Sequence, residues 1–237
     1  MTLPPYMVDY SPIIDRPIIK WPKNAQIALW IVPNVEHYEY LPPSDSVRDP
    51  WPRMPHPDTQ QYSQRDYGNR VGFWRMLDVL DKHNIKCTAS VNLAVLEHFP
   101  EILEAIMQRD WEIMSHGIYN TRYLSGYSLD AERRFYQDNI AILKRLTGKH
   151  LKGMLGPAVT GSPNTPMLMA EAGLIYHADW HHDDQPVPIR VKSGKLISVP
   201  YSVELNDSPF YRQNYEADYW AEICKRQFDV LYKEGRQ

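Results

Sequence analysis

The chain has 237 residues, enough for one large domain, and its 43% hydrophobic and 23% charged residues are typical of a globular protein. The net charge of −3 leaves no basic excess to neutralise phosphates, so nucleic acid is excluded as a partner. No run approaches the ~18 apolar residues of a membrane span, and the amino terminus lacks the pattern of a secretory signal. Two cysteines without paired spacing exclude a disulfide framework, so we expect a cytoplasmic protein with no membrane partner.

The first predicted elements follow a proline-rich amino-terminal segment. Residues 1–24 have no clear hydrophobic period and predict an extended arm, and residues 25–237 then form the domain. The run "QIALWIVPNVEHY", apolar at first and ended by a polar cluster, predicts a buried strand. Residues 41–66 are rich in proline and predict a long irregular loop. The apolar spacing within "GNRVGFWRMLDVLDKHN" predicts a helix.

Strands and helices alternate through the rest of the chain. The predicted strands are "IKCTASVN", "WEIMSHG", "LKGMLGPA", "LIYHADW" and "KLISVPYSV". The predicted helices are "LAVLEHFPEILEAIMQRD", broken at Pro100, "DAERRFYQDNIAILKRLTG", "NTPMLMAEAG" and "ADYWAEICKRQFDVLYKEG", with a polar loop "HHDDQPVP" before the last strand. This alternation predicts an α/β protein with a mostly parallel sheet. Because the pattern stops on a helix, we also expect a further strand beyond residue 237.

Polar clusters follow four of the predicted strands. They are "NVEHYE", "SHGIYN", "DWHHDD" and "ELND". In α/β folds of this kind the carboxyl ends of parallel strands converge on one site. We therefore expect one cleft lined by Glu36, His37, His116, Asp183 and Asn206.

Each cluster has a chemical interpretation and a simpler one. A carboxylate beside an imidazole, as in Glu36 and His37, can act as a base or bind a metal, or it can be a solvated turn. His116 can bind metal, transfer a proton or bind a carbonyl, or it can be structural. Asn120, four residues on, is a weak neutral ligand, so a strong zinc site is not indicated. The "HHDD" segment can be a metal cluster or a polar loop over the site.

The segments quoted above, taken in order, resemble the polysaccharide deacetylase (NodB-homology) family. The likeness covers residues 24–210 and is carried by "GFWR…SHG" together with "SPNT…DW..DD.P". The branch that these segments resemble most is similar to the metal-independent bacterial allantoinases. The resemblance implies a distorted (β/α) barrel of about seven strands that hydrolyses a carbon–nitrogen bond other than a peptide bond. It also implies that a last strand bearing a catalytic histidine would follow residue 237.

The resemblance also implies roles for individual residues. Typical members end their first strand in two aspartates, one a general base and the other a metal ligand, and Glu36 and His37 stand at these positions. The metal-binding histidine pair of typical members corresponds to His116 and Asn120. Trp180 follows an aspartate, as in a later family motif.

These residues predict an amidohydrolase-type enzyme. Glu36 is the expected base on an attacking water, and His116 polarises the carbonyl or holds a metal. The expected substrate-binding residues are His37, Asn120, Trp180, Asp183, Asp184 and Asn206. The cofactor is either none or a weakly bound divalent metal such as zinc, held by His37 and His116.

The expected partner is a small-molecule amide or an N-acetylated sugar, and the chain is a candidate homo-oligomer. Two alternatives of a different class stay open. One is a catalytically degenerate protein of the same fold that binds amides or sugars. The other is a structural subunit whose barrel only supports an oligomer.

Overall fold

A seven-stranded sheet organises the chain in the computed structural model, which describes residues 7–43 and 56–235. The strands are β1 (Asn34–Val35), β2 (Thr88–Val91), β3 (Glu112–Ser115), β4 (Gly153–Met154), β5 (Tyr176–His177), β6 (Val187–Ile189) and β7 (Leu196–Ser198). Their order in the sheet is β1-β2-β3-β4-β5-β7-β6, and only the β6–β7 pair is antiparallel. The predicted α/β class with a mostly parallel sheet of about seven strands is confirmed.

Eight α-helices lie within the described ranges. They are α1 (Thr59–Tyr67), α2 (Phe73–Lys82), α3 (Leu93–His98), α4 (Pro100–Gln108), α5 (Leu129–Thr147), α6 (Thr165–Glu171), α7 (Asp207–Arg212) and α8 (Ala217–Glu234). No helix of these ranges is both long enough and apolar enough to cross a bilayer.

The core forms where apolar helix faces meet the central strands. All four residues of β2 are buried, as expected for a parallel strand covered on both faces. On α2 the buried residues are Phe73, Leu77 and Leu80, spaced by four and three positions, which is one face of a helix. Helices α3 and α4 meet at Pro100, which begins α4, so the predicted break is confirmed.

Several segments differ from their predicted structure. Within "QIALWIVPNVEHY" only Asn34–Val35 form a strand, and none of residues 26–32 is buried, so the predicted buried strand is wrong for most of its length. Helix α7 was not predicted.

Residues 41–66 do not form one irregular loop, because α1 begins at Thr59 after the Asp58 side chain caps its first turn by accepting from the Gln61 N–H at 3.2 Å. Part of that prediction, residues 44–55, lies outside the described residues. The predicted loop "HHDDQPVP" ends in β6, because its last residues form an antiparallel hairpin with β7.

The amino-terminal segment lies against β6. The Met7 side chain is buried, and its carbonyl accepts the Arg190 N–H at 2.7 Å. Between these contacts and β1 the described chain has only two short 3-10 turns, at Ile13–Asp15 and Pro22–Asn24. The boundary between arm and domain at residue 24 stays a prediction.

The parallel register brings the carboxyl ends of the first strands together. Val35 of β1 pairs with Val91 of β2, and Val91 pairs with Ser115 of β3. Residues 36 and 116 therefore follow their strands at the same edge of the sheet, which is where ligands bind in α/β folds.

Candidate active site

A cavity of about 880 Å³ opens at the carboxyl ends of the strands. Its wall combines residues that follow β1, β3, β4 and β7 with residues from α1 and α7. Its polar lining residues include Glu36, Tyr38, Arg65, His116, Asn120, Tyr201 and Asn206. The first, second and fourth predicted polar clusters thus contribute to one cavity.

Glu36 and His116 form the central pair of this cavity. His116 Nε2 lies 3.5 Å from Glu36 Oε1, and the imidazole is almost fully buried while the carboxylate is about one-third exposed. His116 Nδ1 lies 2.9 Å from the Leu155 carbonyl oxygen. Because a carbonyl only accepts, Nδ1 carries a proton, and Nε2 is the nitrogen left to face Glu36 and the cavity.

The other oxygen of Glu36 belongs to a short chain of hydrogen bonds. The Tyr38 hydroxyl donates to Glu36 Oε2 at 2.7 Å, and Asn120 Nδ2 donates to the Tyr38 hydroxyl at 2.6 Å. Tyr38 has a single hydroxyl proton and gives it to Glu36, so the Asn120 atom that faces it must be the amide nitrogen. The chain fixes the orientation of the carboxylate and of the Asn120 amide together.

These contacts determine the charge state of Glu36. Burial disfavours the ionised carboxylate, but the hydrogen bond and charge of His116, the hydrogen bond from Tyr38 and the charge of Arg65 outweigh it. The pKa of Glu36 therefore lies below its usual range. At neutral pH the carboxylate is ionised and able to accept a proton.

Replacement of Tyr38 by phenylalanine should move the acid limb of the pH profile to higher pH. Activity that needs ionised Glu36 is lost as pH falls through the pKa of that carboxyl in the folded protein, and loss of the Tyr38 hydrogen bond raises this pKa. The measurement is kcat/KM against pH for wild type and Y38F, since this ratio reports groups of the free enzyme. Y40F is the control, because Tyr40 is exposed. An unmoved acid limb in Y38F would show that Glu36 does not govern it.

His37 does not share the cavity with His116, which corrects the expected cleft. Its ring packs against His98, Phe99 and Tyr119, at centroid distances of 5.0, 5.5 and 5.9 Å. The reason is alternation, since neighbouring residues of an extended segment point to opposite sides. Glu36 faces the cavity, so His37 faces away from it.

Asp183 is also absent from the cavity wall, because the amino-terminal arm binds it. Arg16 Nη1 and Nη2 each donate to one Asp183 oxygen at 2.5 Å, in a fork-to-fork pair. The neighbouring Asp184 is exposed. Trp180 packs against His177 and His182, with centroid distances of 5.2 and 5.7 Å. The third predicted cluster therefore anchors the arm and packs the sheet end instead of lining the cavity.

Asp183→Asn should lower stability without changing KM. The Arg16–Asp183 pair is mostly shielded from solvent, and hydrogen bonds between charged groups contribute ~1.5–3 kcal/mol. We expect the free energy of unfolding in urea to fall by about 1–3 kcal/mol. D184N is the matched control and should change it by less than ~0.5 kcal/mol. A raised KM in D183N at unchanged stability would show that Asp183 contributes to substrate binding.

Asn206 lines the cavity, but both ends of its amide have partners. Its Nδ2 donates to the Tyr201 hydroxyl, and its Oδ1 accepts the Ser208 N–H at 2.8 Å as the cap of α7. Asn206 thus positions Tyr201 and α7 at the cavity wall.

Glu39 of the first cluster does not contact His116. It binds Arg122 instead, with Nη2 to Oε1 at 2.6 Å.

The sequence profile of the polysaccharide deacetylase family matches residues 56–177, about half of the chain. The chain belongs to the polysaccharide deacetylase family. It is therefore an amidohydrolase-type enzyme, and the family it resembles by motif is confirmed.

Relatives and solved structures agree with this membership of the polysaccharide deacetylases. A Schizosaccharomyces pombe protein assigned to the family is 26% identical over 245 residues, which cover 91% of this chain and 76% of that protein. A peptidoglycan deacetylase of Helicobacter pylori is 26% identical over 142 residues, 60% of this chain and 48% of the relative. The crystal structure of PuuE allantoinase is 28% identical and superposes with a TM-score of 0.80, covering 97% of this chain and 82% of that one.

Typical polysaccharide deacetylases bind a divalent metal, but the residues of this cavity do not supply the ligands it needs. A catalytic zinc takes three protein ligands, usually imidazole, carboxylate or thiolate. The possible ligands on the cavity wall are Glu36, His116 and Asp207, while His37 faces away and Asn120 is bound to Tyr38. Among the described residues no group of three histidine, cysteine or acidic side chains is close enough to hold an ion. These residues do not fit a three-ligand site.

Three of these polar cavity residues were not predicted from the sequence as parts of the site. Tyr38 stands two positions after Glu36, so alternation along an extended segment could have placed it on the same side. Arg65 lies in the segment predicted as a loop, and Tyr201 lies within a predicted strand. No local signal distinguishes these last two from ordinary surface residues.

Proposed function

We propose that this chain hydrolyses an acyl carbon–nitrogen bond with Glu36 as the general base. The observation that supports it best is the Glu36 carboxylate held 3.5 Å from His116 Nε2 at the wall of the cavity, where its contacts keep the pKa of Glu36 below its usual range. A carboxylate and an imidazole at this spacing can handle both proton transfers of amide hydrolysis.

Glu36 takes a proton from water, and the resulting hydroxide adds to the carbonyl carbon. His116 Nε2, when protonated, donates to the carbonyl oxygen as it becomes negative. The C–N bond then breaks, and the proton held by Glu36 passes to the leaving nitrogen. The products are a carboxylic acid and an amine. The Tyr38 hydroxyl donates to Glu36 Oε2 and so holds the carboxylate in place, which leaves Oε1 to accept the proton from water.

The relatives suggest two substrate classes. One is an N-acetylated sugar, by analogy with the peptidoglycan deacetylase of Helicobacter pylori, and the other is a cyclic amide, by analogy with PuuE allantoinase. The cavity volume of about 880 Å³ is within the ~300–1,000 Å³ range of small-molecule sites.

The test is hydrolysis of a panel containing N-acetylglucosamine oligomers, peptidoglycan fragments and allantoin. Acetate release and new primary amine report the first class, and ring opening reports the second. Each reaction is run with and without a chelator and with added zinc. Turnover of either class that depends on Glu36 supports the proposal. Tight binding of the panel without any turnover would instead favour the degenerate binding protein.

A further inference from the structure

Arg65 lines the cavity and forms no ion pair with a carboxylate of the described residues. It lies in the last turn of α1, and its guanidinium carbon is 3.8 Å from the centroid of the Tyr38 ring. Its Nη1 atom is buried and has no hydrogen-bond partner within the described residues. A buried donor without an acceptor is costly, and more so when it is charged.

A second arginine near α1 shows what a compensated charge looks like. Arg70, five residues on, forms an ion pair with the buried carboxylate of Asp66. Arg65 has Glu36 nearby, and its charge contributes to the lowered pKa of that carboxyl. Both Glu36 oxygens, however, already have partners in His116 and Tyr38. Arg65, a residue of the cavity wall, therefore keeps a buried donor that has no acceptor among the described residues.

A second unpartnered atom lies at the other end of Tyr38. Asn120 Oδ1 is buried and accepts no hydrogen bond from the described residues, while Asn120 Nδ2 holds the Tyr38 hydroxyl. One orphan atom is thus a charged donor over the Tyr38 ring, and the other is an acceptor beside its hydroxyl. A ligand that satisfies both needs an N–H group for Asn120 Oδ1 and an anionic oxygen for the Arg65 guanidinium.

We infer that Arg65 is a specificity-determining residue that selects substrates carrying a carboxylate near the scissile amide. The guanidinium donates to the carboxylate in a planar fork, the geometry that arginine provides and lysine does not. Asn120 Oδ1 accepts the amide N–H, which directs the carbonyl towards Glu36 and His116. This inference rests on the proposed function, because it assigns the substrate class of the same cavity.

The test measures binding, which does not require turnover. N-acetylglycine carries an amide and a carboxylate, and N-acetylglycinamide is the same molecule with the charge removed. Both are titrated into the full chain, and NMR shift changes of the protein give the two dissociation constants. Wild type should bind the acid at least about tenfold more tightly than the amide, because hydrogen bonds between charged groups are the stronger kind.

The variants assign this preference to one side chain. R65Q should reduce the ratio of the two dissociation constants to about one, and R65K should give an intermediate ratio because it keeps the charge and loses the fork. R75Q is the matched control, since Arg75 is exposed and bonds to the Tyr67 hydroxyl outside the cavity, and it should keep the wild-type ratio. Circular dichroism and thermal unfolding check that each variant is folded.

Equal binding of acid and amide by wild type would overturn the inference, and so would a preference that survives in folded R65Q. Turnover of E36Q, compared with the binding preference of R65Q, separates the inference from the proposed function. If E36Q retains turnover while R65Q loses the preference for the acid, the base assignment fails and the assignment of Arg65 stands. If E36Q loses turnover and R65Q keeps the preference, the reverse holds.

Discussion

Replacement of Glu36 by glutamine should lower kcat by about 10²–10⁴-fold, the usual contribution of a general base. Glutamine keeps the shape of the side chain and can still accept the hydrogen bond from Tyr38, but it cannot take a proton from water. The measurement is turnover of the best substrate from the panel, with KM determined in parallel. A large loss in kcat with little change in KM is expected, because the proton transfer occurs only on the way to the transition state.

Glu39→Gln is the matched control for this result. Glu39 belongs to the same polar cluster, but its carboxylate binds Arg122 and Thr121 instead of facing His116. E39Q should therefore lower stability and leave kcat within a few fold of wild type. Comparable losses of kcat in E36Q and E39Q would mean that both substitutions lower activity by disturbing the fold and not by removing a general base. Full activity in E36Q would remove Glu36 as the base.

Gly117→Ala should lower the free energy of unfolding by about 2–5 kcal/mol and reduce activity. Gly117 has a φ of +75°, a left-handed conformation that costs a side-chain-bearing residue ~1–2 kcal/mol. A Cβ there would lie 2.5 Å from Pro157 Cγ, and overpacking of this kind costs a further ~1–3 kcal/mol. Because Gly117 directly follows His116, relief of the clash displaces the imidazole. Urea unfolding and kcat measure the two effects.

Gly126→Ala separates the clash from the backbone strain. Gly126 has a similar φ of +86°, but a Cβ at this position has no atom within 4 Å. G126A should therefore show only the conformational cost, ~1–2 kcal/mol, and unchanged activity. If G117A were no more destabilising than G126A, the close approach of Pro157 would not constrain the site.

Elements with a strong local signal could be predicted from the sequence. Helix α5 begins after Ser128, whose hydroxyl caps the first turn, and ends at Gly148 in the left-handed conformation, close to the predicted limits. The buried strand "TASV" and the buried face of α2 could also be predicted from the sequence, because apolar periodicity depends only on neighbouring residues. Strand ends then placed Glu36 and His116 at one edge of the sheet, and the structure brings them together.

Side-chain partners that are distant in the chain could not be predicted. Asp183 is bound by Arg16, 167 residues earlier, and Arg65 reaches Tyr38 from a helix in a proline-rich segment that predicts a loop. His37 shows a different limit, since its residue type suggested a ligand while its position in an extended segment turns it away from Glu36. The sequence alone predicted most strands and helices in their order, though not α1, β6 or α7, and it predicted which chemical groups follow each strand, because periodicity and turn residues act locally. Only the tertiary structure decided which of those groups share the cavity, because that depends on the direction of each side chain and on partners brought together by folding.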